Sequence, residues 1–174
     1  MSKIMIDPGH GGKDSGAVNG TRYEKDDVLK LGLKVGALLK AAGHTVYYTR
    51  TTDIYETPSQ KAQDGNDKEV DYFVSIHRNS ASSTSAKGVE TLMYAISGVK
   101  KTMGTNINSN LAALGFTNRG NKQRTDLTVL SKTTMPAILI EVGFISNSGD
   151  NTLFDNKFDK IASAISKGIT SAIS

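Results

Sequence analysis

The sequence predicts one α/β domain in which a central, mostly parallel sheet is flanked by α-helices. Three observations predict it. Short apolar or β-branched runs alternate along the chain with longer segments whose apolar residues recur at helical spacing. Two of the runs, around residues 71–77 and 137–142, are apolar enough to read as buried strands. The length, 174 residues, supports one full hydrophobic core and is too short for two comfortable ones.

Ile4 to Asp7 reads as the first strand and runs straight into Asp7-Pro8-Gly9-His10-Gly11-Gly12. Ser15 to Gly20 is polar and glycine-rich, a loop. From Glu24 to Ala42 the residues Val28, Leu31, Val35, Leu38 and Leu39 mark a helix, with Gly43 as its stop. His44 to Arg50 is β-branched and aromatic, a strand. Thr51 to Asp67 is polar and poorly patterned, with a short helix after Pro58. Asp71 to His77 is a buried strand, Ser80 to Lys87 a Ser/Ala-rich loop, and Gly88 to Ala95 alternates as a strand does. Val99 to Leu114 is a helix ended by Gly115, and Leu127 to Leu130 a short strand. Ala137 to Val142 is an apolar run broken by one glutamate. Phe158 to Ile173 closes the chain as a helix, with Ile161, Ala162, Ile165 and Ile169 on one side.

Composition narrows the chemistry. There is no cysteine, which excludes a disulfide framework, a thiolate metal site and a cysteine nucleophile. A metal here must be held by nitrogen and oxygen. The net charge of +4 favours anionic surfaces without choosing among nucleic acid, lipid headgroups and acidic wall polymers, because the charges are scattered. No apolar run approaches bilayer-spanning length, and no secretory signal is visible at the N-terminus.

The reactive residues collect at strand ends. Of the three histidines, His10 and His77 each close a strand, where side chains from separate strands converge on the ligand edge of an open α/β sheet. His44 begins its strand and so belongs to the opposite edge. A catalytic zinc takes three protein ligands, two histidines and a glutamate being one known set. Glu24 follows the His10 loop closely enough to fold back on the same lip. An acid in a first helical turn also suits the helix dipole, and spacing does not separate Glu24 from Asp26 and Asp27. Glu141 interrupts Ala137-Ile138-Leu139-Ile140-Glu141-Val142-Gly143-Phe144. A carboxylate there is costly unless it is paired or its pKa is shifted. It is either on the solvent face of a half-buried strand or a general base at the strand's end.

These residues carry a resemblance. Ile6-Asp7-Pro8-Gly9-His10-Gly11-Gly12, Glu24 before a helix, Ser75-Ile76-His77-Arg78-Asn79, and Pro136 through Asn147 resemble the zinc-dependent N-acetylmuramoyl-L-alanine amidases of bacterial autolysins and phage endolysins. Thr49-Arg50 with Asp53, and Gly88-Val89-Glu90, also match, so the similarity spans nearly the whole chain. It implies a single catalytic domain over residues 1–174, one Zn²⁺ held by His10, Glu24 and His77, and Glu141 as the catalytic glutamate. The implied substrate is peptidoglycan, cut between the lactyl group of N-acetylmuramic acid and L-alanine of the stem peptide. It leaves no role for nucleic acid or stable membrane association. Arg78 departs from the small residue usual between His77 and Asn79; it and Asn79 are expected to contact the anionic stem peptide, unless Arg78 points away. No wall-binding module is recognised. The implied setting is an endolysin made in the cytosol and acting on the extracellular wall after holin-type release.

Other readings are a zinc carboxypeptidase of similar fold, a non-catalytic wall-binding module, and a phosphate cradle at Gly9-His10-Gly11-Gly12. The last fits neither glycine fingerprint, since no Gly-Lys-Ser/Thr follows and the loop does not open directly into a helix.

Overall fold

Residue parity organises the molecule. Successive side chains of a strand point to opposite faces of its sheet. In β1 (Lys3–Pro8), β5 (Tyr72–Asn79) and β8 (Ala137–Phe144) the even-numbered Ile4, Ile6, Val74, Ile76, Ile138, Ile140 and Val142 enter the larger core, and the odd-numbered Met5, Phe73, Ala137 and Leu139 the smaller one. The computed structural model describes all 174 residues.

The three strands pair in parallel, joined by β4 (Thr45–Tyr48), β6 (Val89–Met93) and β7 (Asn118–Gln123) in the order β4-β1-β5-β8-β6-β7. Only the β6–β8 contact is antiparallel, so the sheet is mixed but mostly parallel. On the larger-core face lie α1 (Glu24–Ala41), α3 (Gly98–Ala112) and α6 (Phe158–Ile173), each contributing an apolar stripe: Val28, Leu31 and Val35; Met103, Ile107 and Leu111; Ile161, Ile165 and Ile169. The other face is covered more thinly, by α2 (Pro58–Asp67) and the single turn α4 (Thr128–Ser131), whose Val129 and Leu130 pack with Leu139. That thin cover leaves a cleft at the carboxyl ends of β1, β5 and β8.

Several expectations change. Leu127 to Leu130 is a helical turn rather than a strand. A two-residue hairpin, β2 (Val18–Asn19) with β3 (Arg22–Tyr23), begins within the expected loop. The edge strand β7 and the helix α5 (Ser148–Asn156), capped by the Asn147 side chain on the Asp150 amide, were not foreseen. The helix after Pro58 is real and carries a full capping box between Thr57 and Gln60.

Candidate metal centre

The centre is assembled from the end of β1, the end of β5 and the first residue of α1. Past Pro8 the chain hugs β5: the Gly9 amide donates to the Ile76 carbonyl at 3.0 Å. A Cβ on Gly9 would lie 2.4 Å from the His77 ring, so only glycine lets the two strand ends meet. His10 follows with φ 60°, a left-handed conformation rare for a residue with a side chain. Its ring meets that of His77 edge-on, with centroids 4.8 Å apart.

Glu24 reaches both. Its Oε1 lies 3.1 Å from His10 Nε2 and 3.1 Å from His77 Nδ1. The carboxylate is fixed from behind by the amides of Ala17, at 2.8 Å, and Arg78, at 3.0 Å. One ligand atom from each of His10, Glu24 and His77 lies within 4.8 Å of the others. Asp14 Oδ2 sits 2.8 Å from His10 Nδ1, which leaves Nε2 as the nitrogen facing the cluster.

The charges agree with this arrangement. Burial disfavours charge on His10, but the hydrogen bonds and charges of Glu24 and Asp14 outweigh it and raise its pKa to about 9. Burial would raise Glu24, yet His10 and His77 hold it well below the usual carboxylate range. Two imidazoles and one buried carboxylate, with no thiolate in the chain, form a donor set suited to zinc.

Glu141 stands beside this group. It is paired in register with His77 on one side and with Glu90 on the other. Burial, with the charges of Glu24 and Glu90, pushes its carboxyl up to about 7 against the opposing pull of His77 and His10. Its Oε2 is buried and has no hydrogen-bond partner. A cleft of about 230 Å³ opens next to the centre, lined by His10, His77, Asp14, Glu56, Val129 and Leu139 among others.

The structure thus brings His10, Glu24 and His77 together and sets Glu141 next to them. Asp26 is exposed, and Asp27 is occupied by Arg22 and Arg78, at 2.7 and 2.9 Å. His44 lies at the opposite edge, near the N-terminus. The stem-peptide contact expected of Arg78 is not available. Its side chain has no exposed surface and points to the α1 face, where it bonds Asp27, Asn151 and the Val142 carbonyl and stacks on Phe154. The reason is parity: beside His77, it must face the other way. Asn79 turns inward and donates to Glu90 Oε1 at 2.9 Å. Asp14 is not singled out by the sequence, and Glu90 enters there only within the Gly88-Val89-Glu90 match. The spacing of Asp14, four residues after His10 in a glycine-rich turn, was the available signal.

Comparison with known proteins bears on the same residues. The family model described as N-acetylmuramoyl-L-alanine amidase matches residues 4–171. The chain is 33% identical over 161 residues to the probable cell wall amidase LytH of Staphylococcus aureus, covering 90% of this chain and 53% of that protein. It therefore spans about half the length of the curated relatives it matches. Among solved structures, the catalytic domain of CwlV, an N-acetylmuramoyl-L-alanine amidase from Bacillus (Paenibacillus) polymyxa var. colistinus, superposes with a TM-score of 0.90 at 36% identity, covering 99% of this chain and 98% of that one. The amidase AmiC2 of Nostoc punctiforme gives a TM-score of 0.91 at 31% identity, covering 99% and 97%. With the whole sheet, both flanking layers and the His10–Glu24–His77 cluster inside the matched region, the chain belongs to the N-acetylmuramoyl-L-alanine amidase family.

Proposed function

We propose that this domain is a zinc-dependent hydrolase of peptidoglycan, cutting the amide between the lactyl group of N-acetylmuramic acid and L-alanine of the stem peptide. One observation carries the reading: three ligand atoms converge beside a buried carboxylate that has a free oxygen and a pKa near neutrality. His10, Glu24 and His77 would hold the metal, which supplies a Lewis acid for the amide carbonyl and acidifies a water. The chain's own residues do the rest. Asp14 fixes the His10 ring with Nε2 turned inward. Glu141 Oε2 has no competing donor, so it can accept a proton from the attacking water. A carboxyl near pH 7 can also give that proton up to the departing amine of L-alanine.

The wall lies outside the membrane, and we place the action there, in the endolysin setting suggested by the family resemblance. Co-expression with a holin checks that setting: lysis should require both proteins. The chemistry is tested on purified peptidoglycan, using chelator-treated protein with and without restored zinc. Mass spectrometry should find stem peptides beginning at L-alanine and bare glycan strands, only with zinc present. Release of a terminal residue alone would instead identify a carboxypeptidase. Binding without any product would identify a wall-binding module.

A further inference from the structure

We propose that Lys61 and Arg50 are positioning residues for the metal centre, holding the carbonyls of the strand-end turn so that His10 presents Nε2 to the ligand cluster. Both cations are almost fully buried, 4% and 2% exposed. Lys61 reaches across from α2 and donates to Pro8 O at 2.9 Å, to His10 O at 3.2 Å and to Asp7 Oδ1 at 3.0 Å. An ammonium has three donors, and all are used. Arg50, just beyond β4, donates from Nε to Pro8 O at 3.0 Å and from Nη2 to Gly9 O at 2.8 Å. Its remaining bonds go to the carbonyls of Lys25 and Thr52. Three consecutive carbonyls, those of Pro8, Gly9 and His10, are therefore gripped by two buried cations.

Lys61 lines the cleft beside the centre, but its donors, like those of Arg50, end on this turn and its immediate supports. Asp7 supplies the countercharge, itself held by Thr49 Oγ1 at 2.7 Å and Ser75 Oγ at 2.6 Å. The turn needs such a grip because His10 is left-handed, and a strained residue persists only where its surroundings over-determine it. Removing Lys61 alone leaves the buried Asp7 carboxylate without its partner and costs stability, so the orienting role is read from metal affinity and not from the melting temperature. Asp14 selects the His10 nitrogen from the side-chain end, and Lys61 with Arg50 fix the same residue from the backbone end.

The inference rests on His10 being a metal ligand, not on which bond the enzyme cuts. Zinc affinity by competition with a chromophoric chelator tests it, in Lys61→Met and in Arg50→Lys, which keeps the charge but loses the fork. Both should bind zinc 10–100-fold more weakly than the parent, the usual cost of disturbing a ligand's support, with an unchanged far-UV spectrum. Lys61→Cys alkylated to an aminoethyl cysteine restores the ammonium and should recover most of the affinity. Zinc affinity within about twofold of the parent in both variants, with only the melting temperature lowered, would overturn the proposal. If Lys61→Met does not fold, Arg50→Lys decides alone. A parent protein that binds no zinc would sink the ligand reading, and this inference with it.

Discussion

At the scale of single residues, the side chain that stands out is Glu141. It sits between Ile140 and Val142, which enter the larger core, while its own carboxyl shares a face with His77. Burial and two nearby carboxylates hold it near pH 7. Glu141→Gln keeps the volume and removes the base. The expected outcome is a fall in kcat of about 10²–10⁴-fold, the range for loss of a positioned acid–base group, with zinc content unchanged. Turnover of a soluble muropeptide, with metal analysis of the same samples, checks both halves. Loss of zinc together with activity would make Glu141 a ligand instead. Gly9→Ala is the complementary case. Its methyl would fall 2.4 Å from His77 Cε1 and within 2.7 Å of both ring nitrogens, so the ring must move off the cluster. Zinc affinity should fall by at least 10-fold while the fold survives, as read by chelator competition and circular dichroism.

At the scale of elements, legibility followed burial. The strands ending in His10 and His77, and the run through Glu141, stood out because their neighbours are apolar on both faces. α1 and α6 were legible from their stripes. β7 was not: Asn-Arg-Gly-Asn-Lys-Gln is an edge strand with no apolar face, paired only to β6. α5 has Leu153 and Phe154 as its only large apolar residues, too few for a period. Leu127 to Leu130 satisfied a strand pattern, but a short apolar run does not distinguish strand from helical turn, and here it caps the face bearing Leu139. The role of Arg78 was readable in principle, since the residue after one that faces the cleft points to the opposite, helix-covered face of the sheet. Its guanidinium joins β5 to α1 through Asp27, to α5 through Asn151 and to β8 through the Val142 carbonyl. Arg78→Met should therefore cost about 3 kcal/mol of stability, the scale for breaking a buried ion pair from one side. Urea unfolding measures it. KM and zinc affinity of the folded variant should stay at parental values. A raised KM with unchanged stability would return Arg78 to the substrate.

At the scale of the whole molecule, the site makes stability depend on pH in a definite direction. His10 has a pKa of about 9 in the metal-free fold against an ordinary 6.5, and Glu141 about 7 against 4.5. Both bind a proton more tightly when folded, so the folded state holds more protons than the unfolded chain between those limits. Stability then falls as pH rises, by up to about 1.4 kcal/mol per pH unit for each proton. The His10 contribution is complete below pH 6.5 and is lost as pH climbs through 9. Glu24 has the opposite sign: its depressed pKa stabilises above 4.5 and that share is lost on acidification. Metal-free protein should thus be most stable near pH 5–6 and weaken steadily toward pH 9, as urea midpoints across that range will show. Zinc reverses the slope, because a histidine ligand must be neutral and the metal replaces the proton that His10 carries. The stabilisation by a fixed excess of zinc grows as its affinity rises with pH. Calorimetry at pH 7 in buffers of different ionisation heat should find about one proton released from His10 per zinc bound. Asp14→Asn, which removes one of the charges that raise the pKa of His10, should reduce both that release and the pH slope of the metal-free protein. A metal-free protein whose stability is flat or rising between pH 6.5 and 9 would show that His10 is not held protonated by Glu24 and Asp14.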